Sequence, residues 1–253
     1  MQNYRYLVLI YLTLFFLSPF KVSAKTGSHI AAKKQNNSID GYIITQNSQE
    51  YGQLSTLFSL KGVKFITDTA VIIVKPPDFN VNIINTKEHL IFTETIAKYN
   101  IKRSNYYIDQ KNSKVKFEVK PDEKPYDTID NFKVNNYKYY KTEINVRRVN
   151  ICDFSTVKPP NTPAKMMDVC SQLAYLPTGY GLPVRYSKYE WHHGKRIKKY
   201  LLNTYSIKPA KINLNEFIIP KNLTKVDSEM AVVMGCKRVG KNDNLKDLFK
   251  TDY

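Results

Sequence analysis

The chain has 253 residues, and 39 lysines and arginines against 22 aspartates and glutamates give it a net charge of +17 at neutral pH. This length suffices for one ample domain or two small ones. The excess of cations favours anionic partners, although basic residues spread along the whole chain also fit a composition that loads every surface with lysine. The three cysteines have no C-x-x-C spacing, which excludes a thioredoxin-type site and a zinc ribbon.

The first 24 residues have the pattern of an export signal. Arg5 supplies the positive charge, residues 7–17 form an apolar run, and Val22, Ser23 and Ala24 form a small-residue cleavage site. The apolar run is shorter than the roughly 20 residues that span a bilayer, so we expect cleavage, with an uncleaved anchor as the alternative. The mature protein is then expected in the periplasm or outside the cell, soluble or peripheral on a membrane.

After a polar, aperiodic leader at 25–38, a single domain is predicted over residues 39–240. Its first part contains short segments rich in β-branched and aromatic residues, which are separated by turn signals. Their spacing predicts a meander of antiparallel strands at 39–45, 54–60, 63–67, 70–74, 81–84 and 89–93. The segment 70–74 is apolar on both faces, so we expect it in the middle of the sheet.

The middle of the chain contains one clear helix. Residues 94–99 could form a short helix, and the Tyr-rich stretch from about 100 to 142 is interpreted as an irregular insertion with a half-exposed strand in it. Thr162 suits a helix N-cap and Pro163 a first helical position, and apolar residues then recur at spacings of three and four up to residue 174. One amphipathic helix beside many strands indicates an α+β fold.

The C-terminal part returns to strands. Residues 183–191 and 196–209 predict a long hairpin with Gly194 in its loop, and residues 217–220 are predicted to close the sheet. The tail at 241–253 is charged, and we expect it to be frayed.

Cys152 and Cys170 are the cysteines closest in sequence, and they are candidates for a disulfide that would leave Cys236 free. The alternative is that Cys170, on the apolar face of the predicted helix, is a buried and inert thiol.

Several motifs follow one another in a characteristic order. They are S-x-K-G-V-K-F at 59–65, K-P-P-D-F-N-V at 75–81, L-P-V-R at 182–185 and F-I-I-P at 217–220. In this order the chain resembles the outer-membrane lipoprotein carrier and sorting-like superfamily (the LolA/LolB-like fold). The resemblance implies a curved antiparallel β-sheet, a half-barrel, with one or more helices packed on its concave face. It also implies that acyl chains bind in the apolar gap between sheet and helices.

Apolar residues of the predicted strands and helix are the candidates for lining such a pocket. Methionine adapts to irregular apolar guests, although Met166 and Met167 could equally be ordinary core residues. The candidate ligand-binding residues are Leu57, Phe58, Phe65, Ile72, Ile83, Phe92, Met166 and Leu173.

The densest basic cluster lies on the predicted hairpin, where cations alternate with aromatic residues. Such a cluster suits contact with an anionic membrane surface. It would also suit single-stranded nucleic acid, but the predicted export argues against that partner. The plain alternative is a solvated, lysine-rich hairpin. The candidate contact residues are Lys188, Trp191, Lys195, Arg196, Lys198 and Lys199.

The sequence lacks the familiar motifs of catalysis. It has no G-x-S-x-G, P-loop or dinucleotide-binding motif, and His29, His89, His192 and His193 do not make the helical i, i+4 pair that binds zinc. We therefore expect a non-catalytic protein without cofactor or metal. The resemblance implies that it binds a lipid or lipoprotein acyl chain at the cell envelope. The alternatives are a secreted basic scaffold protein without a ligand cavity and an unrecognised hydrolase.

Overall fold

The computed structural model describes residues 37–49, 51–103, 115–123, 127–143 and 148–236. The predicted export signal, most of the predicted leader and the predicted charged tail lie outside these residues. The described part is a large, open, mixed sheet of 13 strands with a few short helices. This agrees with the α+β class at the level of a sheet-rich chain.

The first six strands form a meander in chain order. They are β1 (Ser38–Ser48), β2 (Gly52–Ser59), β3 (Gly62–Ile66), β4 (Val71–Val74), β5 (Asn80–Asn85) and β6 (Leu90–Thr95). Each pairs in antiparallel fashion with the next. All six coincide with predicted strands. β4 lies between β3 and β5 with Ile72, Ile73 and Val74 buried, as its two-sided apolar pattern predicts.

The remaining strands form the second half of the sheet. They are β7 (Val115–Pro121), β8 (Asp127–Ile129), β9 (Phe132–Glu143), β10 (Val149–Val157), β11 (Leu182–His192), β12 (Lys195–Asn213) and β13 (Thr224–Lys225). The order across the sheet is β13-β6-β5-β4-β3-β2-β1-β12-β11-β10-β9-β7, and β8 pairs with β9 off this path. The sheet is mixed because β13 runs parallel to β6.

The two halves are joined by β1 and β12. Every residue of β1 has a partner on β12, from Ser38 opposite Asn213 to Ser48 opposite Leu202. The predicted hairpin of β11 and β12 is confirmed, and β12 is longer than the predicted second strand because its last residues continue along β1.

The pairing register shifts once in each of four adjacent strand pairs. These pairs are β1 with β12, β12 with β11, β11 with β10, and β10 with β9. Such bulges bend a strand and increase its twist. The bend is visible in the rings of Tyr42 on β1 and Phe132 on β9, whose centroids lie 5.6 Å apart. Four strand spacings would separate these strands by about 19 Å in a flat sheet, so the second half bends over the first.

Two predictions for this half are wrong. The described part of the supposed irregular insertion is mostly strand, because β7, β8 and β9 occupy it, and its aromatic residues pack in pairs such as Phe117 with Tyr139. Residues 217–220 form no closing strand. A 3-10 turn forms at Leu214–Phe217 instead, because the Asn213 side chain accepts a hydrogen bond from the Asn215 backbone N–H.

Three helices are described: α1 (Ile96–Arg103), α2 (Ala164–Leu173) and α3 (Glu229–Val233). The first two agree with the predicted helices within a few residues. The predicted N-cap is wrong, because the Thr162 hydroxyl donates to the Pro160 carbonyl and Pro163 occupies the cap position.

The apolar face of α2 packs against residues from both halves of the sheet. Val169 belongs to a buried cluster with Ile72 and Ile83 of the first half. Met166 and Cys170 belong to a second cluster, in which Phe58 of β2 and residues of β11 and β12 also take part. Residues of α2 therefore share buried apolar clusters with strands of both halves.

We predict that Gly41→Ala destabilises the fold. A Cβ at this position on β1 would lie 2.5 Å from both the Phe58 carbonyl oxygen and the Ile212 side chain, so neighbouring strands would have to separate. Overpacking of this kind costs about 1–3 kcal/mol of unfolding free energy. Chemical denaturation measures it, with Asn47→Ala, an exposed site on the same face of β1, as the control. Equal stability of the two variants would contradict the close approach.

Candidate functional site

A cavity of about 590 Å³ lies among the described residues. Strands of both halves of the sheet contribute to its wall, together with α1 and α2. Most of its lining is aliphatic or aromatic. The principal apolar lining residues are Ile44, Leu54, Phe65, Ile72, Tyr99, Phe117, Tyr139, Leu173, Leu182, Tyr186, Leu201 and Leu202. Its size falls within the range of about 300–1,000 Å³ that is usual for small-molecule sites.

Gln46 and Thr56, two buried polar residues of the cavity wall, are satisfied by hydrogen bonds. Gln46 donates from Nε2 to the Thr204 hydroxyl at 2.8 Å, and its Oε1 accepts from the Thr56 hydroxyl at 3.3 Å. All three side chains are buried and lie on the adjacent strands β2, β1 and β12. Because these groups bond across the strands, burying them costs little, and the surrounding wall can remain apolar.

The charged lining residues are confined to one end of the cavity. They are Lys141, Lys188, Glu190 and Arg196. β1 ends at Ser48 opposite Leu202, and all four residues lie beyond that level, towards the turn between β11 and β12. We call this the hairpin end. At the other end, residues such as Ile44, Phe65 and Ile72 line the wall, so the cavity is polar at one end and apolar at the other.

Glu190 lies between two lysines at the hairpin end. The Lys188 Nζ is 2.5 Å from one of its carboxylate oxygens, and the Lys199 Nζ is 3.8 Å from the other. The hydrogen bond from Lys188 is the main reason why the pKa of Glu190 is lowered, against a smaller opposing effect of burial. The carboxylate is therefore ionised at neutral pH.

The structure places the eight predicted lining residues in three groups. Phe65, Ile72 and Leu173 line the cavity. Four others are packed in the clusters around it: Phe58, Ile83, Phe92 and Met166. For Met166 the ordinary core interpretation therefore applies. Leu57 does not line the cavity, because it alternates with the inward residues Thr56 and Phe58 and so faces the other side of the sheet.

Sequence reasoning missed the aromatic residues that the second half contributes to the cavity, as well as Lys141 and Glu190. It assigned Lys188 and Arg196 to membrane contact instead of to the cavity. Tyr139 and Phe117 belong to the stretch that had been interpreted as irregular, and Lys141 lies at its end. The alternation of Val115, Phe117 and Val119 with charged residues was the available signal for this wall.

The predicted disulfide between Cys152 and Cys170 is absent, and all three cysteines are free thiols. Cys152 packs with Tyr139 and Phe154. Cys170, a residue of α2, belongs to the separate buried cluster that contains Met166. Burial, with a smaller effect of the neighbouring Asp153, raises the pKa of Cys152 to about 12, and burial also raises the pKa of Cys170. Both line the cavity as neutral, apolar groups.

The predicted basic cluster on the hairpin is partly neutralised by acids. Lys188 and Lys199 flank Glu190, and the Lys198 Nζ lies 2.7 Å from Asp153. The Arg196 guanidinium lies over the Tyr189 ring, 3.9 Å from its centroid, and also donates to the Asn150 carbonyl. Lys195 is exposed at the turn, and the side chain of Trp191 lies outside the described part of the chain.

Asp153 organises the polar side of this hairpin. It accepts hydrogen bonds from Lys198 and the Tyr189 hydroxyl, both at 2.7 Å, and from Asn150 at 2.8 Å. Burial alone would raise the pKa of Asp153, but these three hydrogen bonds outweigh it and lower the pKa. Three neighbouring strands are thereby joined through one carboxylate.

We predict that Asp153 contributes stability that depends on pH. Its pKa is lower in the folded chain than in the unfolded chain, so its contribution is full above about pH 4 and is lost as the pH falls through the folded value. Asp153→Asn should cost about 1–3 kcal/mol of unfolding free energy at pH 7 and flatten the loss of stability in acid.

Denaturant unfolding between pH 7 and pH 2 measures this effect. Asp40→Asn is the matched control, because Asp40 forms an exposed ion pair with Lys211. A parallel decline of stability with acid in the wild type and Asp153→Asn would refute the role of Asp153.

No family model matches the chain, and a search of the curated proteins found no match. Among the described residues, no three or more His, Cys, Asp or Glu side chains are grouped so as to hold a metal ion. His192 and His193 lie side by side at the hairpin turn, and His29 falls outside the described part. No helix within the described ranges is both long enough and apolar enough to cross a membrane.

Proposed function

We propose that the protein binds the acyl chain of a lipid or lipoprotein in its cavity and carries it at an envelope membrane, without catalysis. The observation that supports this proposal most is the apolar cavity of about 590 Å³ between the sheet and α2. Each methylene group that leaves water for such a site contributes about 0.8 kcal/mol, so an acyl chain gains affinity from its length. Export through the N-terminal segment is part of the same proposal.

The fold that we propose is a half-barrel of the LolA/LolB-like kind, with helices on its concave face. Two observations support it. The second half of the sheet bends over the first, as the contact between Tyr42 and Phe132 requires. Val169 and Met166 of α2 pack into buried clusters with strand residues, on the side of the sheet that the cavity occupies.

The cavity favours a carrier over the alternative of a basic scaffold protein, for which a filled core would be expected. The hydrolase alternative has less support. Burial raises the pKa of the thiols of Cys152 and Cys170, which leaves them protonated and poorly nucleophilic at neutral pH.

We predict that acyl chains occupy the cavity. The wild-type protein, purified from its own host and analysed by native mass spectrometry, should carry an acyl-chain mass or take one up from a fatty acid. Phe65→Glu should abolish binding, because it places a charge on the apolar wall. Ala174→Trp, at the end of α2, should also weaken binding, because it fills the cavity instead of charging it.

Ile43→Glu is the matched control. Ile43 lies on β1 next to the cavity-lining Ile44 but faces the other side of the sheet and is 39% exposed. It should retain binding. A protein that carries no lipid and takes up no fatty acid, with its fold intact by circular dichroism, would remove the carrier proposal.

We further propose that the hairpin of β11 and β12 contacts an anionic membrane surface. Exposed apolar and aromatic residues lie there beside the cations: Ile197 is 48% exposed and Tyr200 is 69% exposed. The Lys198 Nζ lies 5.5 Å from the centre of the Tyr200 ring. Aromatic rings at headgroup depth and lysines near anionic lipid are a favourable combination.

We predict that Lys195→Glu combined with Tyr200→Ala releases the protein from vesicles. One positive charge near the surface is replaced by a negative charge and one interfacial ring is lost, which should weaken partitioning by about tenfold or more. Sedimentation with phosphatidylglycerol vesicles measures binding, and Lys211→Glu, an exposed charge change on β12 remote from the turn, is the control. Unchanged sedimentation of the double variant would contradict membrane contact through the hairpin.

A further inference from the structure

The two ends of the cavity have different side chains, and the strand register shows which residues lie at each end. Lys188 pairs across β11 and β10 with Cys152, and Cys152 pairs with Tyr139 on β9. Glu190 and Lys141 lie two residues beyond this level, further from the apolar end. An extended ligand therefore meets aliphatic and aromatic walls along its length and charged side chains at its hairpin end.

The charges at the hairpin end do not cancel. Within the described part of the chain, Lys188 and Glu190 line the cavity here, and Lys199 lies beside Glu190. Two lysines at one carboxylate leave a net positive charge at this point of the hairpin end, where the neighbouring apolar wall weakens screening by water. Charge complementarity favours a negative group at this end of a bound molecule.

The carboxylate of Glu190 already occupies the position where such a group would bind. Its two oxygens contact two different lysines, at 2.5 Å for Lys188 and 3.8 Å for Lys199. Both Lys188 and Glu190 are about one-third to two-fifths exposed, so the pair can separate without unfolding the strand. A ligand head group with two or three oxygens can make the same contacts.

We propose that the cavity selects a single-chain amphiphile with an anionic head group, and that this head group replaces the Glu190 carboxylate at Lys188 and Lys199. This inference depends on the proposed function, since it specifies the ligand class of the same site. A carboxylate and a phosphate both provide the required negative oxygens. Glu190 then acts as an internal competitor that lowers the affinity for anionic ligands and occupies the lysines when the site is empty.

The test compares ligands that have the same alkyl chain length and differ in their head group. Dissociation constants for laurate, dodecyl phosphate and 1-dodecanol are measured at pH 8 by titration calorimetry on the full-length mature protein. Both anionic ligands should bind more tightly than dodecanol, and the difference should shrink as NaCl is added, because salt screens the attraction. The tighter of the two anions identifies the carboxylate or the phosphate as the preferred source of the charge.

Two variants then separate the roles of the charges. Lys188→Gln should weaken laurate binding about fivefold and leave dodecanol binding unchanged, because only the charged head loses a partner. Glu190→Gln should strengthen laurate binding about threefold, because the internal competitor loses its charge. Lys211→Gln, the same change at an exposed ion pair on β12, should alter neither ligand.

The outcomes distinguish this inference from the function on which it depends. Equal binding of laurate and dodecanol, or weaker laurate binding by Glu190→Gln, would overturn the proposed preference for an anionic head group. Acyl-chain binding itself would still stand. If none of the three ligands binds, the acyl-chain proposal fails, and the inference fails with it.

Discussion

The pairing of β1 with β12 is the contact on which the cavity depends. It joins residues that are more than 150 positions apart in sequence, from Ser38 with Asn213 to Gln46 with Thr204. Without it the first six strands and the second half would be two separate sheets, each with one wall of the cavity. The closure entropy of so long a loop is offset by eleven residue pairs and by the inward side chains Ile44 and Ile207, both of which are almost fully buried.

The first half was predictable because its strands are short, rich in β-branched and aromatic residues, and separated by clear turn signals. Leu54, Thr56 and Phe58 face inwards and Leu57 does not, so the sequence pattern located β2 although Leu57 was wrongly predicted to line the cavity. The apolar run of β4 likewise indicated a central strand. Short turns between these strands also left little freedom in their order, because consecutive antiparallel strands usually pair with each other.

The second half was less predictable because bulges interrupt its alternation. Thr204 and Ile207 of β12 both face inwards although three positions separate them, which a regular strand does not allow. The residues that β9 contributes to the cavity were missed for a further reason. Tyrosines stand among lysines and asparagines on β9, and tyrosine can cover either an apolar wall or a solvated surface. The sequence does not reveal that the cavity is charged at one end and apolar at the other, because this difference arises from the register between strands.

The two ends of the described sheet are protected in different ways. At one end, β13 covers β6: the Thr224 N–H donates to the His89 carbonyl and the Val226 N–H donates to that of Ile91. At the other end, β7 presents the exposed charges of Lys116, Glu118 and Lys120 along its length. Unpaired strand edges invite the addition of strands from another chain, and a short covering strand or a row of charges opposes it. A wide open sheet can thus keep its cavity accessible without offering its edges to a second copy.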